Sequence, residues 1–149
     1  MELQVRRGSV AAGSSPGRRG FPVHHDARKR DLVESADRAL MASEFRFLAD
    51  DGYDVALCPG PGRDPSRCPL LSGGWCELVA EADVVLHALD PALGIPAAIK
   101  RARPALPVLV ERQRAPDAAS TTPDGCTVLE MPCSLDGQLE AIRRALAHG

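Results

Sequence analysis

Ala82-Asp-Val-Val-Leu-His-Ala-Leu-Asp90-Pro91 is an apolar, β-branched run that stops at a carboxylate and a proline. A short continuous run of this kind reads as a strand buried on both faces, as in a parallel sheet covered by helices. Its C-terminal end delivers polar residues to the sheet edge where open α/β folds place their ligands.

Other segments repeat this pattern on either side. Tyr53-Asp-Val-Ala-Leu57, Pro107-Val-Leu-Val110 and Cys126-Thr-Val-Leu-Glu130 read as further strands. Asp31-Leu-Val-Glu34 has capping-box spacing, and Leu32, Val33, Ala36, Ala39 and Leu40 follow at helical intervals. A helix is therefore expected from about Asp31 to Asp50, with Phe45-Arg-Phe-Leu48 open to a second reading as an alternating strand. A short helix is expected over Trp75–Ala80. Another starts with Pro96 in its first turn and stops before Pro104. Ser134 caps a last helix whose Leu135, Leu139, Ile142 and Leu146 form one stripe. Residues Arg112–Gly125 show no periodicity and read as loop or weak helix. Strands alternating with helices give an α/β class: a doubly wound, mostly parallel sheet of four to five strands, with its first strand unassigned.

Composition sets the outer bounds. The 149 residues suit one domain with a core, and 44% are apolar but only 3% aromatic, so the core is built from Leu, Val and Ala. Residues 1–30 carry seven Lys or Arg against two Asp or Glu, while the rest has a balance of −7. This first part, rich in Gly, Ser and Pro, is expected to be a disordered tail; residues 31–149 form the α/β domain. Scattered arginines without aromatic residues argue against a nucleic-acid partner. No apolar run is long enough to cross a bilayer, and no apolar segment follows Arg6 and Arg7 as in a secretory signal. No membrane association is expected, and the protein is placed in the cytoplasm.

From Leu48 onward the chain resembles a response-regulator receiver domain of flavodoxin-like fold. The matching pieces are Leu48-Ala-Asp-Asp-Gly-Tyr-Asp-Val55, Ala82-Asp-Val-Val-Leu-His-Ala-Leu89, Leu106-Pro-Val-Leu-Val110 and Val128-Leu-Glu-Met-Pro132. A receiver needs an acidic pair after its first strand to hold Mg²⁺ and an acceptor aspartate at the end of its third. It also needs a hydroxyl after the fourth strand and a lysine before the proline after the fifth. Here the acceptor position falls on Ala88, the lysine position on Met131 and the hydroxyl position near Glu111 or Arg112. Phe21-Pro-Val-His-His-Asp26 is the candidate for the missing first strand. Asp90 becomes the acceptor if the alignment slips by two residues. Pro132 is kept, and the family's cis bond is implied there.

The resemblance thus implies a degenerate receiver, a pseudo-receiver without phosphoacceptor or enzymatic activity. Such a domain acts in signalling by binding another protein, or a second copy as a homodimer, through its last strand and helix. No cofactor is implied.

The cysteines support an alternative. Cys58, Cys68 and Cys76 fall in one Pro- and Gly-rich loop at Cys-x9-Cys-x7-Cys spacing. Three thiols from one loop can hold zinc or an iron–sulfur cluster, which makes a metal- or thiol-dependent sensor the second reading. The spacing lacks a Cys-x2-Cys pair. Cys133 lies four strands away in a receiver's strand order, roughly 19 Å, which leaves His24, His25 or His87 as fourth ligand. The competing reading is of small, half-buried thiols in a reducing compartment, with His87 a core histidine. Cys58-Pro-Gly-Pro-Gly62 lacks the nucleotide-binding glycine patterns, and its prolines remove N–H donors from any phosphate cradle.

Overall fold

The computed structural model describes residues 28–114 and 123–149. Residues 1–27 of the basic tail, with the Phe21–Asp26 strand candidate, His24 and His25, lie outside them, as does most of the Arg112–Gly125 loop.

Five strands form one sheet: β1 (Arg30–Glu34), β2 (Asp54–Cys58), β3 (Val84–His87), β4 (Val108–Gln113) and β5 (Thr127–Met131). All neighbours are parallel, in the order β2-β1-β3-β4-β5. The helices are α1 (Arg38–Asp50), α2 (Glu77–Glu81), α3 (Ile95–Ala102) and α4 (Leu135–His148).

Alternation along each strand sends successive side chains to opposite faces, and the core is accordingly double. Leu32, Val85 and Val108 meet Val79 of α2 and Ile95, Ala98 and Ile99 of α3 on one face. Val33, Val84, Leu86 and Leu109 meet Met41 and Leu48 of α1 and Leu139 and Ile142 of α4 on the other. Every residue of β3 is buried, as its apolar run requires. Only five residues long, α2 cannot hold itself in place. Arg103 secures it by donating to the carbonyls of Val79, Ala80 and Ala82 at 2.8, 3.1 and 2.6 Å, which its last turn would otherwise leave unpaired.

The largest correction concerns the start of the domain. Asp31-Leu-Val-Glu34 is not the first turn of a helix but the body of β1, paired on one side with β2 and on the other with β3. The boundary between tail and domain drawn after residue 30 therefore falls inside a strand. Leu32 and Val33 are both fully buried on opposite faces, a pairing that a one-faced helix does not offer. The helix cap is Asp37, whose Oδ1 accepts from the N–H groups of Ala39 and Leu40 at 2.9 and 3.1 Å. The helix then runs to Asp50 as expected, and Phe45–Leu48 is helical. Two smaller corrections follow. Arg112 and Gln113 belong to β4 rather than to a loop, and Leu135, assigned to the buried stripe of α4, is 46% exposed. Ser134 does cap α4, accepting from Gly137 N at 3.1 Å.

Asp31 shows what this strand assignment costs. Its side chain is fully buried and neither carboxylate oxygen has a hydrogen-bond partner among the described residues. Burial pushes its pKa up to about 7. A carboxyl with a raised native pKa favours folding most when protonated, so stability falls as pH rises from about 4 towards 7. Asp31→Asn should flatten that part of the pH–stability curve without loss of stability at neutral pH. Asp37→Ala should cost about 1 kcal/mol at every pH above the carboxylate range. Urea unfolding across pH 4–8 checks both, and the converse pattern would restore the cap to Asp31.

Candidate functional site

The strand order reverses between β1 and β3, so the crevice above their C-terminal ends is the topological switch point of the sheet. Three side chains stand there in register. Glu34 closes β1 and is aligned with Cys58 at the end of β2 on one side and His87 at the end of β3 on the other. In-register residues of parallel neighbours share a face, which here is the α2/α3 face. His87 Nδ1 and Glu34 Oε2 are 2.6 Å apart, and both side chains are almost wholly excluded from water. His87 Nε2 is buried with no hydrogen-bond partner among the described residues.

The backbone holds this pair from both sides. Ala88 N donates to Glu34 O at 2.7 Å, and Ser35 N donates to Cys58 O at 3.1 Å. Ser35 is itself buried, and its Oγ accepts from Asp37 N at 3.1 Å. The Glu34 carboxylate, the Nδ1 of His87 and the Ser35 hydroxyl thus each have a neighbour within the fold.

The residues singled out in the sequence are placed as follows. Ala88 lies just past β3, and the strand's last residue is His87 rather than an aspartate. Asp90 is exposed, and its Oδ1 accepts from Ala92 N at 2.9 Å, which makes it the cap of a short turn through Pro91–Leu93. Met131 ends β5, and the Met131–Pro132 bond is cis. Glu111 and Arg112 lie within β4 rather than after it; consecutive in the strand, they point to opposite faces.

Cys58, Cys68 and Cys76 all pack against the α2/α3 core. They lie near enough for Cys68 and Cys76 to raise the Cys58 pKa, which burial already raises more strongly. Among the described residues, no three His, Cys, Asp or Glu side chains converge in a group that holds a metal ion. Cys58 and Cys133 belong to opposite edges of the sheet, and His87 engages Glu34 through Nδ1. The loop after β2 is anchored by packing. Gly60 has φ +75°, and a Cβ there would come within 2.8 Å of the Leu89 side chain. Its left-handed backbone is what calls for glycine there.

The Glu34–His87 pair was missed in the sequence because Glu34 was assigned to a helix. A signal was nevertheless present. A parallel fold needs a strand ahead of its first helix, and a polar residue ending it faces the polar residue ending its neighbour.

No family model matches the sequence, and no curated protein matches it. Solved structures do. A response-regulator receiver protein from Sinorhizobium medicae is 17% identical with a TM-score of 0.59, over 81% of this chain and 96% of its own. The signal receiver domain of an HD domain-containing protein from Pseudomonas fluorescens is 20% identical with a TM-score of 0.58, over 81% and 88%. A receiver domain protein from Methanospirillum hungatei is 18% identical with a TM-score of 0.57, over 81% and 95%. The fold is that of a response-regulator receiver domain.

The Mg²⁺ that this fold implies does not fit these residues. Glu34 is the one carboxylate at the end of β1; it is buried and hydrogen-bonded to His87, and Ser35 follows it in place of a second acid.

Removing one partner of a buried hydrogen bond leaves the other unsatisfied, at about 1–3 kcal/mol. Glu34→Leu and His87→Leu should each destabilise by that order. The double variant should be more stable than their sum implies, with a coupling of about 1–3 kcal/mol by urea unfolding. Additive effects would mean that the two side chains act independently.

Proposed function

We propose that this protein is a non-catalytic signalling module, a receiver fold that works by binding another protein and not by taking up a phosphoryl group. The observation that carries this reading is the buried Glu34–His87 pair. It fills the strand ends where a phosphorylatable receiver presents an acidic pair and an acceptor aspartate. An acyl phosphate also needs nearby donors to stabilise it, and Met131 stands where the family's lysine would be. Asp90, just past the end of β3, is used to cap a turn.

The last strand and helix are the contact region that the fold suggests. A groove of about 640 Å³ runs along them, with Val128, Leu129, Ala141 and Ala145 among its lining residues. Leu135 is exposed at the start of α4. A protein ligand with an apolar contact surface fits this face. No helix among the described residues is long and apolar enough to cross a membrane.

Acetyl phosphate or beryllofluoride, added with Mg²⁺ at stoichiometric levels, should leave the amide NMR signals of His87, Ala88 and Asp90 unmoved. Saturable shifts there would overturn the proposal. Protein purified anaerobically should contain well below one equivalent of zinc or iron. One equivalent, lost in Cys58→Ser, would instead make the thiol loop the functional site.

A further inference from the structure

The opposite face of the sheet carries a second polar cluster that the proposed function does not use. Glu44 of α1 is buried against the sheet, between the apolar Met41 and Leu48. Glu111 projects from β4, and Gln138 from the first turns of α4. Gln138 Nε2 donates to Glu111 Oε1 at 2.9 Å and lies 3.4 Å from Glu44 Oε1. The two carboxyl groups thus converge on one amide nitrogen and lie close enough for each to act on the other's protonation. Glu44 Oε2 is buried and receives no donor from the described residues.

This arrangement is chemically incomplete as two carboxylates. Carboxylate oxygens only accept hydrogen bonds, and two ionised carboxylates in contact repel each other. The contact becomes favourable when one group carries a proton and donates it to the other. Gln138 is neutral and supplies no counter-charge. We propose that Glu44 and Glu111 form a carboxyl–carboxylate pair that holds one proton at neutral pH and fastens α1, β4 and α4 together, making this face of the domain a proton-responsive joint.

The surroundings set the direction of its response. Burial pushes the Glu44 pKa up most, followed by the Glu111 charge, to about 8. Burial likewise raises Glu111. Asp31 of β1 adds to the rise at Glu44, whereas His87 of β3 acts in the opposite sense on Glu111. Cys133, in the turn before α4, feels both carboxylates and is raised, chiefly by burial. Protons leave such a pair in two macroscopic steps that belong to the pair. The upper step opens the joint by placing two charges where one proton had joined them. The native pair binds a proton that the unfolded chain has already released. Its contribution to stability is therefore full below the ordinary glutamate range and is lost as pH rises through about 8.

The test is a carboxyl ¹³C NMR titration of the full chain, with the Gln138 side-chain amide signals followed in parallel. One glutamate carboxyl should titrate roughly two or more pH units above the ordinary range, and the Gln138 amide signals should shift with the same midpoint. Glu111→Gln should bring the Glu44 midpoint down, and Glu44→Gln should remove the high midpoint while keeping the fold. Titration of every glutamate in the ordinary range in the wild-type protein would overturn the proposal, whether or not the variants fold. So would a high midpoint that survives in both variants. Neither result depends on whether the domain binds phosphoryl donors or a partner.

Discussion

The hydrogen bond between His87 and Glu34 is the constraint on which the upper edge of this molecule depends. Both residues end central strands that are covered by helices on both faces, so neither can turn to water. The buried carboxylate and the Nδ1 side of the buried imidazole pair with each other at 2.6 Å, while Nε2 has no partner among the described residues. Their meeting also locks the register of β1 against β3, because a shift by one residue would send the two side chains to opposite faces. The remaining strand-end contacts, Ala88 to Glu34 and Ser35 to Cys58, continue the same ladder outward.

The two faces of the sheet use polar residues differently. The α2/α3 face is apolar apart from the Glu34–His87 pair at its strand ends, with Cys58, Cys68, Cys76 and Cys126 packed at its margin as small hydrophobic side chains. The α1/α4 face buries three acids, Asp31, Glu44 and Glu111, wholly or in part, and two of them are joined to α4 through Gln138. Buried carboxyls at this density oppose folding at neutral pH unless they hold protons, which is why proton binding rather than ion pairing explains this face. In contrast, the ion pairs of Arg30 with Asp54 and Glu81 and of Arg143 with Asp51 lie at the surface, where they add little to stability.

Elements with one dominant local signal were legible in the sequence. The run before Asp90-Pro91 reads as a doubly buried strand because nothing polar interrupts Val84–Leu86. Pro96 and Ser134 mark helix starts through fixed φ and a side-chain cap, and both stand where the structure starts helices. The first strand was hidden because its apolar stretch is only Leu32-Val33, flanked by acids that imitate a capping box. The candidate site went with it, since a pair of residues 53 positions apart in sequence leaves no local trace once one of them is assigned to the wrong element.

By itself, the sequence determined the class of the fold and most of its element order, because these follow from hydrophobic period and turn chemistry. Tertiary structure alone decided that Asp31–Glu34 is a strand, that Glu34 meets His87 at the switch point, and that Glu44 meets Glu111 beneath Gln138. The physical reason is common to all three. A charged residue in a short segment looks solvent-facing until the strands on either side bury it, and its partner is then chosen by register across the sheet and not by spacing along the chain.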